Sequence, residues 1–144
     1  MNLDQLQGQH EAVEALATQF LSLIADDRLA RPVGTLRWQL ARELMAHLAL
    51  EDQIFYPSMQ RQPHALLRDT AARLQVEMAP LAASFSGYMS RWSDDRIARE
   101  WRDFCRESRQ MIDAILNRMH KEEKLLVPLL AEAGIIEPPL KLAS

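Results

Sequence analysis

Four stretches of this 144-residue chain place apolar side chains at alternating steps of three and four, and that spacing is the strongest constraint on its fold. The first reads Leu3, Leu6, His10, Val13, Ala17, Phe20 and Ile24, and the second Leu36, Leu40, Leu44, His47, Glu51 and Ile54. The third reads Leu67, Ala71, Leu74, Met78, Leu81, Phe85, Tyr88 and Trp92. The fourth reads Ile97, Trp101, Phe104, Ser108, Met111, Ile115, Arg118, Glu122 and Leu125. Steps of this kind keep one face of a helix on a common axis. They predict helices over Leu3–Ala25, over Thr35–Met59 with Thr35 as N-cap, from Pro63 to Trp92, and from an N-cap at Ser93 to a stop at Gly134.

The second half of the chain repeats the first. Leu6-Gln7 recurs as Leu74-Gln75, and Asp26-Asp27-Arg28-Leu29-Ala30-Arg31 recurs as Asp94-Asp95-Arg96-Ile97-Ala98-Arg99. After a short shift, Glu51 to Pro57 aligns with Glu122 to Pro128. A helical hairpin cannot bury its apolar face alone, so two such hairpins predict an all-α, up-down-up-down four-helix bundle with short loops. Residues 1–134 form that domain in this reading, and residues 135–144, with Pro138 and Pro139, an irregular tail.

The bulk numbers narrow the function. Hydrophobic residues make up 48% of the chain, enough for one core, and the net charge of −3 carries no basic block of the kind nucleic acid needs. The longest apolar runs, such as Leu125 to Ala131, are too short to span a bilayer. The polar stretch Met1 to His10 has no signal-peptide pattern, and the lone Cys105 excludes an internal disulfide. The expectation is a cytoplasmic protein. No nucleophile–base pair, phosphate loop or dinucleotide motif is found, so no enzymatic activity is expected.

Five titratable residues nevertheless fall in the seams: His10, His47, Glu51, Arg118 and Glu122. Charged side chains are rarely buried without a partner or a metal. His47 and Glu51, four apart, share a helix face. Under the repeat, His10 corresponds to Met78, His47 to Arg118 and Glu51 to Glu122, so the six positions converge on one level of the bundle.

With His10, then His47-Leu-Ala-Leu-Glu51, then Glu51-Asp-Gln-Ile-Phe-Tyr-Pro57, and Glu122-Glu-Lys-Leu-Leu-Val-Pro128, nearly the whole chain resembles the hemerythrin-like (HHE cation-binding) family. The resemblance implies an iron-binding bundle with oxygen, nitric oxide or iron itself as signal. It also implies two metals, but the second set of ligands is degenerate. Met78 stands where the family has a helix-three His, and Arg118 where it has the helix-four His. His120, two residues on, lies about 200° round the helix and faces away; His64 falls in a turn.

Two readings stay open. His10, His47, Glu51 and Glu122 suit one iron or another divalent ion, with two irons and reversible dioxygen binding not expected. Alternatively the core is metal-free and Arg118 forks onto Glu51 or Glu122, leaving an interaction or regulatory protein. Met78 and Cys105 are expected as core fillers, and Pro80 as a kink near the site. A second stripe on helix two, Trp38, Ala41, Met45, Leu48, Phe55 and Met59, is expected to meet a neighbouring helix or the tail. The other use of that stripe is a homodimer or partner surface.

Overall fold

The computed structural model describes residues 3–136, which form four helical rods with no strand among the described residues. The first rod is α1 (Leu3–Leu23). The second is α2 (Gly34–Leu50), a π-helical turn over Glu51–Phe55, and α3 (Tyr56–Gln60). The third is α4 (Ala65–Arg91), and the fourth is α5 (Asp94–Arg99) followed by α6 (Trp101–Glu132). Each rod packs on the next and α6 also meets α1, which closes the up-down-up-down bundle. No described helix is long and apolar enough to cross a membrane.

Local chemistry sets most of the ends. Ser93 caps α5 by accepting the Arg96 N–H at 3.2 Å, with Asp94 and Asp95 in the positive first turn. Gly134, at φ 74°, closes α6: its N–H reaches the Ala131 carbonyl at 3.1 Å, and the Ile135 N–H reaches that of Leu130 at 3.0 Å. That pair of bonds is a Schellman stop, which needs the left-handed residue. Residues 137–144, where the rest of the expected irregular tail falls, lie outside the described residues.

Three expected boundaries move. α2 starts at Gly34, not after Thr35, because buried Val33 anchors the chain two residues earlier and its carbonyl takes the Arg37 N–H at 2.9 Å. α4 starts at Ala65 because the His64 ring accepts the Leu67 N–H at 3.2 Å and so acts as N-cap beyond Pro63. The fourth rod breaks at Glu100, whose φ of −122° and ψ of 44° leave the helical region.

The two ends of the bundle differ. At one end Phe104 is fully buried, with the rings of Trp92, Trp101, Phe20 and Tyr88 at 5.4, 5.7, 6.1 and 6.3 Å between centroids. Arg37, buried there, donates to the Trp92 carbonyl at 2.8 Å, at the C-terminal end of α4 where a cation is favoured. At the other end the seams carry polar groups.

Two seam assignments are corrected. Ile54 is 46% exposed, and Phe55 is buried in its place. The π-helical turn admits one extra residue, so the step inward from Glu51 is four, not three. Arg118 is not a core residue. Met119 is buried instead, in a run with Ile112, Ile115 and Leu126, and Arg118 leans outward to Glu77 with its Nη1 3.0 Å from Oε2. A guanidinium at the flank keeps its hydration, whereas Met119 gains by burial.

Candidate metal centre

His10 comes from α1, His47 from the last turn of α2, Glu51 from the first residue of the π-helical turn, and Glu122 from α6. All four are buried, His47 completely. One ligand atom from each lies within 4.8 Å of the others. Four donors about 2.0–2.2 Å from one ion lie at most about 4.4 Å apart, so small side-chain rotations close the set. Among the described residues no other such cluster of His, Cys, Asp and Glu occurs.

The π-helical turn brings in a fifth residue. The Tyr56 N–H bonds the Glu51 carbonyl across five residues. In a regular helix side chains five apart diverge by about 140°; here both point inward. Tyr56 is buried, and its hydroxyl donates to Glu122 Oε2 at 2.7 Å.

Outer partners orient the two imidazoles. His47 Nδ1 lies 3.0 Å from Gln9 Oε1, and His10 Nδ1 lies 2.9 Å from Glu123 Oε1. Both acceptors require Nδ1–H, which leaves Nε2 of each ring as the inward atom, the arrangement by which outer residues prepare metal-ligating histidines. The His10 Nε2 lies 3.4 Å from Glu51 Oε1, and the His47 Nε2 lies against the same oxygen.

Charge follows from this geometry. Burial lowers His10, but Glu51 and Glu123 outweigh it and raise its pKa. Burial raises Glu51, but its contacts with His10, His47 and Glu122 outweigh that and pull its carboxyl down to about 2. Glu122 goes the other way: burial first, then the neighbouring Glu51 charge, hold it well above the usual carboxylate range. Burial and the two carboxylates likewise push the Tyr56 phenol far up, so it stays a donor.

The donor set fits a divalent ion. Within the cluster Glu51 Oε2 and Glu122 Oε1 are buried without a hydrogen-bond partner among the described residues, although such atoms ordinarily find one, and His47 Nε2 meets only Glu51 Oε1; outside the cluster Arg37 Nε also lacks a partner. These lone pairs converge, and a cation satisfies them together. Two imidazoles and two carboxylates are the mixed N/O set that first-row divalent metals take.

Of the second half of the chain only Glu122 joins the cluster. Met78 is buried and lines, with Glu51 and Tyr56, a cavity of about 270 Å³ on the α4 side. Arg118 and Lys121 share Glu77 Oε2 at 3.0 and 2.7 Å in a partly exposed ion cluster on α4 and α6. The expected fork of Arg118 onto Glu51 or Glu122 is thereby overturned, because its guanidinium is spent on Glu77. His120 is exposed, 3.6 Å from Glu14, and His64 serves as a cap. Gln9, Tyr56 and Glu123 were not legible as site residues. Their only signals are adjacency to His10 and Glu122, and, for Tyr56, its place in the recurring Glu51–Pro57 segment.

Residues 1–130 match the family model described as Hemerythrin HHE cation binding domain. No curated protein and no solved structure matches the chain.

Proposed function

The chain belongs to the hemerythrin HHE cation-binding family, and from that premise we propose that it binds a single divalent ion, iron foremost, and serves as a sensor or binding protein for iron, oxygen or nitric oxide. The observation that carries this is the convergence of four buried donors within 4.8 Å, with one carboxylate oxygen each of Glu51 and Glu122 left without a hydrogen-bond partner. His10 and His47 would hold the ion through Nε2, and Glu51 and Glu122 through one oxygen each. Such an ion supplies a Lewis-acidic, redox-capable centre. Gln9, Glu123 and Tyr56 keep the ligands oriented. One ion suffices in this reading because Met78 and Arg118 offer no donor to a second. The chain is then a binding protein and not an enzyme, and its place in the cell is the cytoplasm.

Metal analysis after anaerobic loading with ferrous iron tests the proposal. About one iron per chain is expected, lost in His47→Ala. A folded protein that retains none, or that holds two, rules the reading out. The metal-free reading with Arg118 at its centre loses its basis, since Arg118 pairs with Glu77.

A further inference from the structure

The cavity over the cluster is far larger than a diatomic ligand requires. Its volume is about 410 Å³, inside the range of about 300–1,000 Å³ that holds organic ligands. Its polarity is graded. The inner end carries His10, Glu51, Tyr56 and Glu122. From there the lining turns apolar in three helical series. On α1, Leu6 and Leu3 follow His10 by steps of four and three; on α6, Leu126 and Leu130 follow Glu122 by steps of four. Phe55 and Met59 follow Glu51 in the same way on the second rod. Two turns of helix give this apolar stretch a length of about 11 Å. A cavity with a polar inner end and apolar walls beyond it suits a single-chain amphiphile.

Charge selects the head. The two acidic side chains that also border the cavity, Asp4 and Glu123, are exposed, and two ligand carboxylates already offset a dication. A carboxylate head meets repulsion from Glu123, beside His10 and Glu122, and an ammonium has no lone pair for the ion. We propose that the cavity binds a neutral amphiphile with an alcohol-type head at the His10–Glu51–Glu122 end and an aliphatic tail along Leu126, Leu130, Leu6 and Leu3. The head assignment rests on the metal reading above; the tail site does not.

The test uses the full chain, cobalt-loaded and metal-free, titrated calorimetrically with 1-butanol through 1-octanol and with the matching alkanoates. Affinity of the alkanols should rise about fourfold per methylene, the cobalt spectrum should change on binding, and each alkanoate should bind at least tenfold more weakly. Leu126→Trp should fill the cavity and cost more than tenfold in octanol affinity while cobalt content stays at one. If Leu126→Trp disturbs folding, Leu3→Trp at the rim should produce the same loss. Affinity independent of chain length, alkanoates as tight as alkanols, or unchanged octanol binding in the folded tryptophan variants would each overturn the proposal. Absence of cobalt from the wild-type chain overturns the metal reading and the head assignment with it. In that case chain-length dependence in the metal-free protein still decides the tail site.

Discussion

Gln9 and Glu123 act on the candidate centre without contributing an inward atom. Each accepts Nδ1–H from one imidazole and so turns Nε2 toward Glu51. Gln9 sits on the half-buried flank of α1, so its removal leaves the core intact. Gln9→Ala is therefore expected to weaken metal binding about 10- to 100-fold with little change in melting temperature, read by competition with a chromophoric chelator. Undiminished affinity would mean that the ring needs no outer partner. Arg118 is the opposite case, a residue whose importance the seam spacing overstates. Arg118→Ala should shift stability by no more than about 1 kcal/mol, since the pair with Glu77 is solvent-screened, and should leave metal content unchanged. Met119→Ala, one residue on, should cost about 2–5 kcal/mol in denaturant unfolding. Steps of three and four allow either residue at that level of the seam. Side-chain chemistry decides between them, because a buried guanidinium needs a counter-charge and a methionine does not.

At the level of elements, the π-helical turn is the feature that makes the site. It lets Glu51 and Tyr56 face inward together, and it moves the buried position from Ile54 to Phe55. Two substitutions separate it from a regular helix. Phe55→Ala should cost about 3–5 kcal/mol as a vacated core position, and Ile54→Ala should stay within about 0.5 kcal/mol as a surface change. A larger loss at Ile54 than at Phe55 in urea melts would restore the uninterrupted helix and displace Tyr56 from Glu122. Periodicity reads an extra residue in a turn poorly, because a period fitted over a whole helix averages across a single bulge. The same sequence announces Ser93 and Gly134 clearly, because a cap needs only its own side chain, or its own positive φ, plus nearby amides. His10, His47, Glu51 and Glu122 were legible for a related reason: a polar residue in an apolar seam stands out wherever the register is held. Gln9, Tyr56 and Glu123 were not, since a polar residue beside a seam is what any bundle surface contains.

Across the whole molecule, stability is distributed unevenly between the two ends. The Phe104 end is closed by packed rings, and Arg37 caps α4 there, with its Nε the one buried side-chain polar atom without a partner at that end among the described residues. The His47 end keeps a buried oxygen of Glu51 and one of Glu122 without partners, side by side, and a cavity of about 410 Å³ beside them. Unpaired buried acceptors cost free energy, and a void forfeits contacts along its lining. The metal-free bundle should therefore open first at the N-terminal half of α1, at α3 and around Glu122, while the Phe104 end stays closed until global unfolding. An ion bound only by the folded state adds about 2.7 kcal/mol at a free concentration one hundred times its dissociation constant. At roughly 2–4 °C per kcal/mol for a chain of this size, loading should raise the melting temperature by about 5–11 °C. Amide exchange locates the gain. Protection should increase at α1 residues near His10 and in the Glu51–Gln60 segment, and stay unchanged around Phe104 except in the globally unfolding amides. A thermal shift accompanied by uniform protection would place the ion elsewhere, and no shift at saturating ferrous iron would mean that the converging lone pairs do not act as a metal site.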